Sequence, residues 1–201
     1  VERRPRDTQR AIQYVFQNPD ASLNPRRRVG AIVGRPLQHF FGLRGAPQKR
    51  RVAELLEATH LDPRYAARFP GQLSGGERQR VALAQTLAAE PDLVLCDEIL
   101  SALDVSVQAG ILDLLRELQR ERGLTYLFIA HDLAVVRGLA DRVAVLRGGE
   151  LMEVGRCDEV FAPPYHPYTR LLLDSTPKPK VPERAEHRVG GPHGPAARNN
   201  P

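Results

Sequence analysis

The sequence predicts an α/β fold with a mostly parallel sheet and an inserted α-helical subdomain. Three observations predict it. Short apolar runs rich in β-branched and aromatic residues recur along the chain: "IQYVF" at 12–16, "LVLC" at 93–96, "TYLFIA" at 125–130 and "RVAVL" at 142–146. Segments with helical spacing separate them, the alternation that places helices on a parallel sheet. The long stretch 18–88 between the first two runs carries helical spacing and only a weak strand signal, so it reads as a helical insertion.

Taken in order, "IQYVF" is the first strand, and "QNPDASLNPRRR" after it is a loop with two Asn/Asp/Pro turn signals. From Pro47, the positions Val52, Leu55, Leu56 and Thr59 have helical spacing, and Pro63 closes that segment. Residues 75–90 form a helix with Val81, Ala84, Leu87 and Ala88 on one face, ended by Pro91. "LVLC" is the second strand. Residues 105–122 make the clearest amphipathic helix: Val107, Ile111, Leu114, Leu115 and Leu118 share a face, and Gly123 stands where a C-terminal cap belongs. "TYLFIA" and "RVAVL" read as further buried strands. The turn Gly148-Gly149 then leads into "ELMEV". After Pro177 the chain is rich in Pro, Gly, Arg and Glu, the composition of a disordered tail.

With 201 residues and an apolar share of 42%, the chain has material for one domain with a subdomain. Trp is absent and aromatics are 5%, so the core is expected to be aliphatic. The formal charge is +5, mostly Arg and spread along the chain; Arg26-Arg27-Arg28 is the best candidate for a basic patch. Cys96 and Cys157 stand alone, outside any CxxC or Cys/His cluster, which argues against a zinc site or disulfide scaffold and fits a reducing compartment. No apolar run approaches the roughly 18–20 residues that span a bilayer. The start shows no signal-peptide pattern.

Four places carry the chemistry. "LVLCDE" ends an apolar strand on two acids, which a strand delivers to the C-terminal edge of its sheet, where open α/β folds bind ligands. Asp97 is placed there to hold a Mg²⁺ shell through water. Glu98, one residue on, points elsewhere and can polarise an attacking water. The pair also fits an ordinary polar strand end. "LSGGERQR" sets Ser74, Gly75 and Gly76 just before a helix N-terminus, where unpaired N–H groups and the helix dipole favour a phosphate. A plain Ser-Gly helix cap fits the same residues. His131 follows the strand in "FIAHD", at the same sheet edge, although a lone His is often structural. Gln17 follows the first strand and offers an amide to a metal or water; it also fits a surface glutamine.

Along the chain the order is strand-Gln, helical insert, LSGGERQR, helix, LVLCDE, SALD, helix, strand-His. This ordered set resembles the nucleotide-binding subunits of ABC transporters, over residues 10–177. The resemblance implies a P-loop NTPase fold of the ABC ATPase type, N-terminally truncated. It makes Gln17 the Q-loop glutamine, Leu73 to Gln79 the signature motif, Leu93 to Asp97 the Walker B strand, Glu98 the catalytic base, Ser101 to Asp104 the D-loop and His131 the switch histidine. Nucleotide contacts are implied for Gln17, Ser74, Gly75, Gly76, Glu77 and Asp104, and metal contacts for Asp97 and Gln17. The implied organisation is 1–17 as the end of the N-terminal part of the ATPase core and 18–88 as the helical signature subdomain. Residues 89–155 would be the core with Walker B, D-loop and switch histidine, 156–177 a C-terminal extension and 178–201 the tail.

"VFQNPDASLNPRRRVG" and "PPYHPYTRLLLDSTP" at 163–177 resemble the oligopeptide/dipeptide/nickel importer branch. That branch implies ATP and Mg²⁺ as cofactors and ATP hydrolysis coupled to import of oligopeptides or dipeptides. It implies membrane permease subunits, a second ATP-binding subunit in a hetero-pair, indirectly a solute-binding protein, and no nucleic acid. It implies a peripheral position on the cytoplasmic face of the cell membrane. The sequence departs from the family at Ile99 and Leu100, where Pro and then a small or β-branched residue are usual, and at Gln85, where Arg is common.

A P-loop needs Gly-x-x-x-x-Gly-Lys-Ser/Thr. Gly71 and Gly76 have the glycine spacing, but Glu77 and Arg78 follow, and Lys49, Lys178 and Lys180 lie elsewhere. Family members carry that loop before the Q-loop. Three readings follow: an import ATPase whose N-terminal part is absent from this sequence, an ABC ATPase of a non-transport class, or a truncated non-hydrolysing partner subunit. Val1 in place of Met is compatible with a fragment, a processed product or an unusual start codon.

Overall fold

The computed structural model describes residues 5–101 and 103–175. The expected tail at 178–201 and Ala102 of the 101–104 segment lie outside the described residues. A short helix α1 (Arg6–Ala11) runs directly into β1 (Ile12–Val15). Helices α2 (Pro19–Ser22), α3 (Val29–Phe41), α4 (Gly45–Ala58) and α5 (Gly75–Leu87) follow, with 3₁₀ turns at Pro63–Ala67 and Pro70–Gln72. Then come β2 (Leu93–Asp97), α6 (Val105–Arg122), β3 (Thr125–Ile129) and α7 (Leu133–Leu139). The hairpin β4 (Arg142–Arg147) and β5 (Glu150–Arg156) leads to α8 (Cys157–Val160) and α9 (Pro167–Ser175).

β1, β2 and β3 form a parallel sheet in that order. Val15 pairs with Cys96, and Cys96 with Phe128, so the three strands end nearly level. Each hands its next residues to one edge: Gln17 after β1, Glu98 after β2, His131 after β3. The register therefore decides which side chains can meet.

The core forms where apolar stripes converge. On α6, Ile111, Leu114, Leu115 and Leu118 are at most 1% exposed, the i, i+3, i+4, i+7 set of one face. Each such burial is worth about 1.5–3 kcal/mol. Gly123 ends the helix at φ 64°, a left-handed position that favours glycine, and its N–H reaches Gln119 O at 2.9 Å. The helical region 19–87 has its own stripe: Val29, Val33, Leu37, Leu55 and Leu56 are all nearly inaccessible. Arg28 and Phe69 close its far side, the guanidinium carbon lying 4.8 Å from the ring centroid, and Val29 N–H donates to Arg68 O at 2.9 Å.

Two strands differ from expectation. β3 and β4 read as buried, yet Leu127 is 53%, Ile129 50% and Leu146 62% exposed. An apolar run is read as buried from its composition, but burial needs a neighbour. Among the described residues β3 pairs only with β2, and β4 only, antiparallel, with β5. The segment "YHPYTR" packs on that hairpin: the Thr169 hydroxyl donates to the Glu153 carboxylate, and the Arg147 guanidinium lies 5.1 Å over the Tyr168 ring.

Candidate functional site

The level strand ends bring three of the sequence-selected side chains together. The Gln17 amide Nε2 donates to Glu98 Oε2 at 3.0 Å and to Ser101 Oγ at 3.3 Å. His131 Nδ1 lies 3.4 Å from Glu98 Oε1. One carboxylate is thus held between an amide and an imidazole that come from strands on either side of its own. Glu98 is the point where the backbone itself is unusual. Its φ is +46°, a left-handed conformation that costs a non-glycine residue on the order of 1–2 kcal/mol. Its N–H donates to Ile129 O at 3.0 Å, and its C=O accepts from the Ser101 hydroxyl at 2.9 Å.

Ile99 and Leu100, the departures noted in the sequence, are 1% and 4% exposed. Burying them anchors the turn that carries Glu98. The Gln108 carboxamide, from the first turns of α6, fastens the same turn by donating to Leu100 O and Leu103 O, both at 3.0 Å. Beside Glu98 is a hollow of about 70 Å³ bordered by Ser101, Gln108, His131 and Asp132. That space suits a few waters and is far below the roughly 300 Å³ at which small-molecule pockets begin.

Asp97, one residue before, has a different partner. The Tyr14 hydroxyl donates to Asp97 Oδ2 at 2.5 Å, and this bond holds the phenol proton, raising its pKa above the ordinary value. One carboxylate oxygen is thereby oriented by a neutral donor. Among the described residues no group of three or more His, Cys, Asp or Glu is arranged to hold a metal ion. The donor set at this position is the single Asp97 carboxylate, one of whose oxygens already accepts from Tyr14. It fits Mg²⁺, which keeps waters and takes one or two protein oxygens together with phosphates, better than any ion needing an all-protein cage. Cys96, next to Asp97, is fully buried and its thiol is pushed up to about 12 by that burial, so it is inert in this setting.

The LSGGER segment forms a second site, with no hydrogen bond to the first among the described residues. Ser74 caps α5 and is exposed. Glu77 N–H donates to Ser74 Oγ at 3.3 Å, and Ser74 N–H donates to Glu77 Oε2 at 2.7 Å, a reciprocal capping box. The S-x-x-E spacing carries that signal in the sequence. The Tyr65 hydroxyl donates to Glu77 Oε1 at 2.5 Å. These bonds hold the Glu77 carboxyl below its ordinary pKa, Tyr65 contributing most. Arg78 donates to Leu73 O at 2.6 Å.

The two glycines differ. A Cβ on Gly75 would meet Leu103 Cδ2 at an ordinary 3.6 Å, but one on Gly76 would lie 2.5 Å from Val107 Cγ1. A side chain at Gly76 would therefore force Val107 to shift, so the packing of α5 on α6 favours glycine there. Asp104 is exposed at the N-cap of α6, with no side-chain cap bond. Gln85 borders the space between β1 and α3, its carboxamide oxygen buried without a partner. Tyr14, Tyr65 and Gln108 were not picked out from sequence; nothing in local spacing ties them to partners 5 to 83 positions away. Among the described residues no helix is long and apolar enough to cross a membrane.

Comparison with known proteins adds to this geometry. The ABC transporter family profile matches residues 2–101, and the oligopeptide/dipeptide transporter C-terminal region matches residues 152–201. The chain is 45% identical over 181 residues to the oligopeptide transport ATP-binding protein OppF of Bacillus subtilis (strain 168), covering 90% of this chain and 59% of that protein. It is 46% identical over 167 residues to the dipeptide transport ATP-binding protein DppF of Haemophilus influenzae, covering 83% of this chain and 51% of that one. Among solved structures, the ATP-binding cassette MJ0796, a dimer in a post-hydrolysis state bound to ADP and Pi, superposes with a TM-score of 0.66 at 33% identity. That match covers 75% of this chain and 65% of that one. The chain spans about half the length of the curated relatives it matches.

Proposed function

Because the chain belongs to the ABC transporter ATP-binding family, with the C-terminal region of its oligopeptide/dipeptide branch, we propose that it works as an ATP-binding and ATP-hydrolysing subunit of an importer for oligopeptides or dipeptides. It would energise transport through a membrane permease, from a peripheral position on the cytoplasmic side, paired with a second ATP-binding subunit. The observation that carries this reading is the convergence of Gln17, Glu98 and His131 at one sheet edge.

In this reading Glu98 takes the proton of the attacking water, which the adjoining hollow has room to hold. His131, within reach of Glu98 and 68% exposed at its side chain, presents its ring to the γ-phosphate. Mg²⁺, when bound with the nucleotide, supplies charge neutralisation of the phosphates, and Asp97 and Gln17 are the residues that would hold its shell. Ser74, Gly75 and Gly76, with Glu77 and Asp104 beside them, would face ATP carried by the partner subunit. The Ser74 oxygen already accepts a bond within its own cap, so its hydroxyl proton remains to donate outward. Gln17 would relay the state of the site to a permease docked on the helical region.

The test is ATP turnover by the assembly that contains this chain. Glu98→Gln should leave ATP binding in place and nearly abolish hydrolysis; wild-type turnover in that variant would remove Glu98 from the role of base. Residues 1–201 alone, with no Gly-Lys-Ser/Thr, should bind ATP weakly by calorimetry. Micromolar affinity would contradict that expectation.

A further inference from the structure

The capping box at Ser74 is tied to a residue outside its own helix. Tyr65 lies in the 3₁₀ turn Pro63–Ala67, which packs against α3 and α4. Its hydroxyl donates to Glu77 Oε1 at 2.5 Å, while Glu77 Oε2 accepts from Ser74 N–H at 2.7 Å. The carboxylate is thereby gripped at both oxygens, one by the helix's own cap and one by the 3₁₀ turn. The Tyr65 ring is itself held: the Arg68 guanidinium carbon lies 4.0 Å from its centroid. Glu77 faces Tyr65, Ser74 and Arg68, and all three favour its charged form.

A carboxylate at the third helical position could swing out to solvent by rotating its side chain. With the Tyr65 bond made, that rotation breaks two charge-assisted hydrogen bonds instead of one. The Ser74 hydroxyl is then fixed as an acceptor from Glu77 N–H, and its proton is directed away from the helix. We propose that Tyr65 is a positioning residue for Ser74: acting through Glu77, it holds the serine hydroxyl and the following N–H groups in the orientation that receives a phosphate oxygen. This rests on the reading that the Ser74–Gly76 loop meets a phosphate.

The test uses the isotope-labelled 201-residue chain with Tyr65→Phe, which removes one oxygen and keeps the ring, and with Glu77→Gln, which keeps an acceptor without the charge. Without any nucleotide, Tyr65→Phe should speed exchange of the Ser74 amide by about tenfold, the effect of losing one hydrogen bond to a charged group. It should also move the Glu77 titration, followed through the Ser74 amide shift, up toward the ordinary value of 4.5. Glu77→Gln should retain most of the Ser74 protection and lose its pH dependence. An unchanged exchange rate and an unchanged titration in Tyr65→Phe would overturn the proposal, since a ring that only fills space would give that result.

A separate arm titrates inorganic phosphate and follows the Ser74, Gly75 and Gly76 amides. Weaker phosphate response in Tyr65→Phe than in wild type supports positioning for the anion. If wild type shows no phosphate response while Tyr65→Phe still loosens the box, the hydrogen-bond relay stands and the phosphate reading of the loop falls. Equal phosphate affinity in the two forms counts against the proposal.

Discussion

Asp20 Oδ1 and Arg78 Nε lie 3.0 Å apart, joining the short helix α2 just after Gln17 to helix α5, which Ser74 caps. The approach lacks hydrogen-bond geometry at Nε, so the contact is electrostatic. Arg78 also bonds Leu73 O, and Asp20 is fixed by its own N–H donating to Asn18 Oδ1 at 2.9 Å. A double-mutant cycle with Asp20→Asn and Arg78→Gln should give a coupling of about 0.2–1 kcal/mol, since the Asp20 side chain is 59% exposed. Arg78→Gln alone should cost more than Asp20→Asn because it also strips the donor from Leu73 O. Urea denaturation of the four forms measures both; zero coupling would mean the pair does not bridge α2 and α5 in solution.

Gly76→Ala should destabilise the chain by about 1–3 kcal/mol, the usual cost of forcing a methyl into a filled space. Gly75→Ala, with an ordinary contact awaiting its Cβ, should be much milder. The companion variant Gly76→Ala with Val107→Ala should recover part of the loss. Denaturation midpoints decide this, and equal costs at 75 and 76 would refute the packing assignment.

The Glu77 box should make stability depend on acid in a defined direction. Its folded-state pKa lies below the ordinary 4.5, so its contribution is complete above pH 4.5 and lost as the pH falls through the lower, folded value. Wild type and Glu77→Gln should therefore separate in melting temperature by on the order of 2 °C above pH 4.5 and converge as the pH falls through the lower, folded value. Melting curves between pH 3 and 6 test the sign.

Gln108→Leu removes the donor shared by Leu100 O and Leu103 O while keeping the size of the side chain. A loss of about 1–3 kcal/mol is expected from leaving the Leu103 carbonyl without this donor, while Leu100 O keeps the Leu103 N–H. Hydrogen exchange of the amides of Ser101 and Leu103, which close the same turn on Glu98 O and Leu100 O, should rise with it. Unaltered exchange there would show that Gln108 is not what holds the turn.

The uncovered face of β3 makes a prediction about handling. Leu127 and Ile129 share one face of β3, which among the described residues pairs only with β2, and form an exposed apolar strip. Leu127→Thr with Ile129→Thr should reduce light scattering at a given concentration, with little change in secondary structure by circular dichroism.

Much of this architecture was legible because its signals are local. Helix α6 spans Val105–Arg122 as its apolar spacing and Gly123 require, and the strand before Asp97-Glu98 ends where the acids begin. The meeting of Gln17, Glu98 and His131 followed from strand ends on one edge. What stayed hidden depends on contacts between segments distant in sequence. Tyr14 reads as one more residue of a strand until the sheet register sets its hydroxyl against Asp97. Tyr65 lies 12 positions from Glu77, beyond any helical spacing. The exposure of β3 was misread because composition records how apolar a strand is and is silent on which neighbours cover it.

The Val107 contact bears on how natural variation and selection experiments at Gly76 are to be understood. A screen for activity would select against larger residues at 76 partly through lost stability, because any Cβ there forces Val107 to give way. Loss of function at this glycine therefore mixes a packing effect with any effect on a ligand, and shortening Val107 in the same background separates the two. The neighbouring Gly75, where a methyl meets Leu103 at an ordinary distance, is the position at which an alanine reports with least interference from packing.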